Sequence, residues 1–362
     1  MENPKPVIIF IKPHDGPFFR ADEKILEEKY IVRKFVVKPD RDKRNFVIRL
    51  INLTVFLLKN GWSSKIMVVW FADYAATLMV LAGKIFRRPT VIFAGGQEAI
   101  CYKELGKGVY LKKFRGSCVR FALRNATYIL PNHKSLIYHE NYFYNSENPH
   151  IDGIQHYVPN LRSSIKVVPN GIDPSRVSYD ESVQKQSNLI LTVANVYQKS
   201  DFINKGFDLF IEAARRNPDL NFVIVTIKQN FINWVEQTYK ISEIQNLKVF
   251  IGFCPDEVLI GYYNKAKVYV QISITEGMPV SLSEAMLCEC IPVGSNVNGI
   301  PDAIGPYGVI INRRDITELE QAIRKALQMD TGKKAREFTI QNYSIDVRKK
   351  ILLNILQNIK KP

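Results

Sequence analysis

Two carboxylates flank a turn in the stretch Ile274 to Met286, which reads ITEGMPVSLSEAM. Glu276 precedes Gly277 and Pro279, which break helical periodicity, and Glu284 follows once Ser281 to Met286 restores it. This spacing puts Glu276 in a loop and Glu284 about one turn into a helix. Backbone N–H groups at Gly277, Met278 and the helix start, helped by the helix dipole, suit an anion such as phosphate. A phosphate held there can carry sugars on both sides, each offering hydroxyls to one carboxylate. Taken singly, either acid could equally be a surface carboxylate near a helix start, where acids are favoured.

Other residues with chemical potential follow short apolar runs. The first run ends in KPHDGPFF, so His14, Asp15 and Gly16 fall in a loop where Gly16 allows close backbone approach and His14 could meet a phosphate or an acceptor hydroxyl. Asp-Gly followed by Pro17 also suffices to build an ordinary turn. Glu98, after Gly95-Gly96, and His133 lie beyond two further runs and are candidates to contact an acceptor. His139, His150 and His156 lack the spacing of a metal ligand set. Asp40-Arg41-Asp42 spells a D-x-D of the kind that binds divalent cations, but Arg41, Lys43 and Arg44 surround it with positive charge that opposes a cation.

The elements that must position these loops come in two series. Val7 to Ile11, Val32 to Val37, Ile66 to Trp70, Thr90 to Ala94, Tyr128 to Leu130 and Lys166 to Val168 form the first. Leu189 to Ala194, Asn221 to Thr226, Lys248 to Gly252, Val268 to Ile272, Ile291 to Val293 and Val309 to Ile311 form the second. Near-continuous apolar runs suit strands buried on both faces of a parallel sheet, with helices between them. The fold class is α/β, with two Rossmann-like doubly wound domains expected to face across a cleft. A length of 362 residues also favours two domains. Residues 1–173 are expected to form the first domain, 174–188 (PSRVSYDESVQKQSN) a polar linker, and 189–345 the second. Residues 346–362 read as an amphipathic helix that could pack back on the first domain.

Three blocks carry a resemblance. EGMPVSLSEAMLCECIPVGSNVNGIPDAI is similar to the E-x7-E region of the retaining GT-B glycosyltransferases of family 4, the glycosyl transferases group 1. VVPNGID (Val167 to Asp173) resembles the inter-domain segment of that family, and LTVANVYQKSDFINKGFDLFIEAA (Leu191 to Ala214) its phosphate-binding strand, loop and helix. In the first half, WFADYAATLMVLAGKIFRRPTVIFAGGQEA resembles a branch with a Gly-Gly-x-Asp-like turn, here Gly95-Gly96-Gln97-Glu98. The resemblance implies a GT-B fold with an acceptor-side first domain and a nucleotide-sugar-binding second one. It implies that Glu284 binds the ribose hydroxyls of a nucleotide and that Glu276 holds the donor sugar. Gly277 and Met278, in the turn with Pro279, would offer backbone donors, and Lys205 would neutralise the leaving diphosphate. The co-substrate would be a nucleotide-diphosphate sugar of UDP or GDP type, with no metal and no other cofactor. Where the family commonly has an arginine, this chain has Asn195, so either Lys199 supplies the charge or Lys205 acts alone. Asn298, Gly299 and Asp302 stand where the family has a Gly-Gly-x-x-Glu-like turn.

The implied activity is metal-independent, retaining transfer of a hexosyl group to a glycan or lipid-linked acceptor in cell-surface polysaccharide or lipopolysaccharide biosynthesis. The alternative is a non-catalytic relative that binds nucleotide or glycan, which Asn195 keeps open. An epimerase or phosphorylase on the same architecture fits less well. Net charge is +15, with 28 Lys+Arg against 16 Asp+Glu in residues 1–180 and 22 against 19 in the remainder. A basic first half suggests an anionic partner. No nucleic-acid-binding module is evident, so nucleic acid is not expected. An anionic membrane surface is a candidate partner for two segments. RDKRNFVIRLINLTVFLLK (Arg41 to Lys59) joins a basic start to an apolar stretch, although a buried helix would explain that pattern too. YLKKFRGSCVRFALR (Tyr110 to Arg124) interleaves basic residues with aromatics. The five cysteines lack disulfide or metal spacing, and neither a signal peptide nor a membrane span is evident, so the expected location is cytoplasmic, peripheral on the inner face of the membrane.

Overall fold

In the run Val7 to Lys12 successive side chains point to opposite faces, and both faces are buried. Ile8 and Phe10 join one apolar cluster, while Ile9 and Ile11 join another. The same division recurs at Ile66, Val68 and Trp70 against Met67 and Val69, as a parallel sheet covered on both sides requires. The computed structural model describes residues 4–40 and 42–359, so Arg41 of the D-x-D lies outside the described residues. These residues divide into two compact units. One comprises the chain up to His139, Asp152–Pro169 and the stretch from Ile345; the other comprises Glu140–Ile151 and Asn170–Ser344.

In the first unit β1 (Val7–Lys12), β2 (Ile31–Val36), β3 (Ser64–Trp70), β4 (Thr90–Ala94) and β5 (Tyr128–Pro131) are followed by a short ribbon of β6 (His139–Asn141) and β7 (His150–Asp152), then β8 (Ser164–Ile165). The sheet runs β2-β1-β3-β4-β5-β8, all parallel. The final strand lies two residues earlier than the apolar run Lys166 to Val168, although the Val168 N–H still reaches the Pro131 carbonyl at 2.9 Å. Helices α1 (Pro17–Glu27), α2 (Lys43–Asn60), α3 (Tyr74–Phe86), α4 (Lys113–Asn125) and α5 (Ile154–Tyr157) join the strands. Leu53, Leu57, Met79, Val80, Val119 and Leu123 place α2, α3 and α4 on one face of the sheet, with α1 on the other.

The second unit repeats the plan. Its strands are β9 (Gln186–Val196), β10 (Asn221–Ile227), β11 (Leu247–Ile251), β12 (Ala266–Gln271), β13 (Ile291–Ser295) and β14 (Val309–Ile311), ordered β11-β10-β9-β12-β13-β14 and all parallel. Its helices are α6 (Lys199–Asn204), α7 (Phe207–Arg216), α8 (Ile232–Tyr239), α9 (Asp256–Lys265), α10 (Val280–Leu287), α11 (Ile300–Ile304), α12 (Ile316–Leu327) and α13 (Gly332–Tyr343). One contiguous core runs through this unit. The chain then returns to the first unit as α14 (Ile345–Gln357).

Helix α14 is held by a buried charge as well as by Leu352, Leu353 and Leu356. Arg348, 1% exposed, grips Asp22 of α1 through two N–H···O contacts of 2.7 and 2.8 Å and donates to the carbonyls of Val168 and Pro169. Its guanidinium also lies 5.2 to 5.6 Å from the rings of Phe18, Trp70 and Phe93, and the Trp70 indole donates to Asp22 at 2.9 Å. A buried carboxylate deprived of its cation costs about 3–5 kcal/mol. Arg348→Met should therefore lower the stability of the first unit by about that amount, read from a denaturant midpoint; a loss below about 1 kcal/mol would show that the pair contributes little.

Candidate functional site

In the second unit the chain runs from β9 outward to β10 and β11, then returns to the other side of β9 as β12. The sheet order reverses between β9 and β12, and α/β sheets bind ligands at the carboxyl ends of strands flanking such a point. The loops that follow these two strands are stitched together. The Ile274 N–H donates to the Asn204 carbonyl at 2.8 Å, and the Asn204 amide donates to the Thr275 carbonyl at 3.3 Å. Lys205, between α6 and α7, forms an ion pair with Glu276. The approach is so close that Gly206, with φ of 71°, leaves no room for a side chain: a Cβ there would sit 2.6 Å from the Ile272 carbonyl oxygen. Asn298, itself left-handed at φ 47°, accepts the Glu276 N–H at 3.1 Å and so fixes the loop from the β13 side.

Gly277, Met278 and Pro279 are buried and lead directly into α10. The Met278 carbonyl accepts the Asn170 amide at 2.9 Å, which holds this turn at the start of α10. Glu284, 6% exposed, lies on α10 and accepts from the Tyr263 hydroxyl at 3.2 Å and from the Arg176 guanidinium. Burial pushes its carboxyl above the usual range, while Arg176 and the Tyr263 hydrogen bond pull the other way. A carboxylate has about four acceptor positions, and these two contacts occupy two of them. Tyr263 is fully buried, and burial first, then the Glu284 charge, raise its phenol. Asn195 is exposed near the end of β9, its side-chain oxygen accepting from the Thr226 hydroxyl at 3.2 Å. Lys199 begins α6 and sits 5.8 Å from the Trp234 ring centre, whereas Lys205 faces Glu276. Arg176 and Tyr263 were not among the sequence candidates. Arg176 is a lone cation in an unpatterned polar stretch, and nothing local marks it as the partner of an acid 108 residues away.

The first unit has the same reversal between β1 and β3, and an apolar-lined cavity of about 360 Å³ lies among the loops after them. His14, Glu98, Asp73 and Arg115 line it. His14 accepts the Gly16 N–H through Nδ1 at 3.0 Å, which puts the proton of the neutral ring on Nε2. Asp15 pairs with the buried Lys12 at 2.7 Å, a contact that lowers the Asp15 carboxyl. Glu98 is buried beneath the cavity and accepts the N–H groups of Ala72 at 3.3 Å and Gly96 at 3.1 Å. Asp73 caps α3 and takes a two-pronged contact from Arg115 at 3.0 and 2.5 Å, a pair the sequence reading did not single out. His133 is elsewhere: buried, it accepts the Ser135 N–H at 3.2 Å and caps a turn without lining this cavity. In the former D-x-D, Asp40 pairs with Arg49 at 2.8 Å and Asp42 caps α2. Among the described residues no cluster of three or more His, Cys, Asp or Glu could hold a metal ion.

Two expectations follow. Gly206→Ala should cost about 1–3 kcal/mol through its positive φ and the clash with Ile272, read as a lowered denaturant midpoint; an unchanged midpoint would refute the close approach. Burial raises the Glu98 carboxyl over the opposing pull of the backbone N–H groups. The folded chain therefore holds this proton more tightly than the unfolded one, a contribution fully present below the ordinary value of 4.5 and lost as pH rises through the raised one. Glu98→Gln cannot ionise, so its melting temperature should fall less than the parent's between about pH 5 and pH 8. Parallel curves would mean that Glu98 is ionised throughout.

Comparison with known proteins connects this geometry to a family. Residues 180–344, which contain Lys205, Glu276 and Glu284, match the family described as Glycosyl transferases group 1. A serotype-specific mannosyltransferase, WbdA of Escherichia coli, is 34% identical over 91 residues, which are 25% of this chain and 11% of that protein. The chain thus spans about a tenth of that relative's length. Among solved structures, Anabaena Alr3699/HepE in complex with UDP-glucose aligns over 97% of this chain and all of its own, with a TM-score of 0.69 at 15% identity. Sucrose-phosphate synthase from Thermosynechococcus elongatus aligns over 98% of each chain, with a TM-score of 0.73 at 13% identity. At such identities the likeness shows the fold alone, and it does so over nearly the whole chain. The protein has the GT-B fold, and its residues 180–344 belong to the glycosyl transferases group 1, family 4.

Proposed function

We propose that the protein is a retaining glycosyltransferase that moves a sugar from a nucleotide-diphosphate donor to a glycan or lipid-linked acceptor in cell-surface polysaccharide assembly. The observation that carries this reading is the Lys205–Glu276 pair at the reversal of the second sheet, on the loop that feeds the helix bearing Glu284. A diphosphate competing for Lys205 would free Glu276 to accept a hydroxyl of the donor sugar, and the start of α10 would offer N–H groups to the phosphates. Glu284, with Arg176 and Tyr263 on one side, keeps acceptor positions for the ribose hydroxyls. As the sugar–phosphate bond breaks, charge gathers on a phosphate oxygen, where a fixed cation is most effective. That oxygen would then take the proton of the incoming hydroxyl on the same face, which retains configuration without a dedicated protein base. The donor class is supported by the UDP-glucose bound to HepE, and sugar transfer by the mannosyltransferase WbdA. The first-unit cavity lined by Glu98 and His14, with Asp15 and Gly16 next in the same loop, is the proposed acceptor side.

A second reading, a non-catalytic relative that binds nucleotide, is favoured by Asn195, which brings no charge where a diphosphate would benefit from one. Thermal-shift titration with UDP, GDP and CMP separates the cases. Ligand at about 100 times its Kd should stabilise the protein by about 2.7 kcal/mol, and Glu284→Ala should abolish the shift. Lys205→Ala should then lower donor turnover by about a hundredfold or more, measured as release of nucleotide diphosphate. Absence of any shift would overturn the donor assignment; a shift without turnover would leave the non-catalytic reading in place.

A further inference from the structure

The outer face of α2 is the least expected surface of the first unit. A helix packed on a sheet ordinarily turns polar residues to solvent. Here Leu53 and Leu57 are buried against the sheet, yet Val47, Ile48, Ile51, Val55 and Leu58 on the outer side are 43% to 57% exposed. Trp62, just past the helix, continues the stripe at 71% exposure. The stripe holds helical spacing from Val47 to Leu58, about 17 Å of helix, and contiguous exposed apolar surface marks an interaction site.

Charge decides what that site fits. Helices α2, α3 and α4, which cover the same face of the sheet, contain nine Lys and Arg and no Asp or Glu. Lys43 and Arg44 are exposed at one end of the stripe, with Lys59 and Lys65 at the other and Lys84 and Arg87 on the neighbouring helix. The nearby acids are engaged, Asp40 with Arg49 and Asp42 in capping α2. An apolar stripe with cations at both ends and a tryptophan at its margin matches a helix lying in the plane of an anionic bilayer, with its apolar side chains below the headgroups. A second copy packed on the stripe, parallel or antiparallel, would bring cationic ends together and be repelled. Among the described residues no helix is long and apolar enough to cross a membrane, so contact would be in-plane.

We propose that α2 is a membrane-docking helix through which the first unit binds a lipid surface carrying anionic phospholipid. This rests on the surface of the first unit and is independent of the donor site. The full-length chain should float with vesicles of equal parts phosphatidylcholine and phosphatidylglycerol, and far less with phosphatidylcholine alone. Ile48→Ser/Ile51→Ser/Val55→Ser should lower the partition coefficient about a hundredfold, and Lys43→Gln/Arg44→Gln/Lys59→Gln should remove most of the preference for the anionic lipid. Because all six positions are exposed, melting temperatures should stay near the parent's. Should the serine variant misfold, the emission of Trp62 answers the same question: it should shift to the blue on adding the mixed vesicles, and Trp62→Phe should abolish the shift. Failure of the parent to float, flotation undiminished in a folded serine variant, or lipid-free self-association lost in that variant would each overturn the proposal.

Discussion

The second unit depends on one close approach, the backbone of Gly206 against the carbonyl of Ile272. Parallel strands set their C-terminal loops side by side, but they do not by themselves bring a lysine from one loop onto a carboxylate of the next. Here the chain leaves α6, takes a left-handed step at Gly206 and enters α7, so that Lys205 faces Glu276 while Phe207 and Phe210 enter the core. The same step lets Asn204 bond both ways with the Ile274 and Thr275 backbone. A local conformational freedom available to glycine thereby becomes a long-range arrangement of charge.

Several buried or half-buried acids of the molecule illustrate a common rule. Glu23 meets Lys12 and Lys34, Asp22 meets Arg348, Glu284 meets Arg176 and Glu276 meets Lys205. An ionised carboxylate taken out of water is costly unless a cation or several donors replace the lost hydration. Glu98 departs from this pattern, since peptide N–H groups stand in for a cation. That is a weaker compensation than a full charge, and it agrees with the upward direction of its carboxyl.

The sheets were legible because strands buried on both faces read as apolar runs, and the runs at Thr90 to Ala94 and Ile291 to Val293 map directly onto β4 and β13. β8 was displaced in that reading because an edge strand of two residues, Ser164 and Ile165, is too short to impose a pattern. β9 extends beyond its apolar run at both ends, which places Asn195 inside the strand and turns Lys199 into the first residue of a helix. Glu276 and Glu284 stood out because Gly277 and Pro279 interrupt a helix between them, a purely local signal. Arg176 gave none, since its meaning comes only from a contact between segments far apart in the chain. For α2, apolar residues on nearly every side blurred the period, and burial in three dimensions was needed to tell the packed side from the outer one.

The return of α14 also orders events in time. The Asp22 carboxylate and the Trp70 indole are translated early, but the guanidinium that neutralises the acid belongs to residue 348, after every residue of the second unit. A nascent chain therefore holds an acid without its cation, and an apolar sheet face missing Leu352, Leu353 and Leu356, while the second unit, Glu140–Ile151 with Asn170–Ser344, already has every residue it needs to condense. The unit that begins first is finished last, and until α14 arrives its uncovered sheet face is the surface that a chaperone or a neighbouring nascent chain would meet.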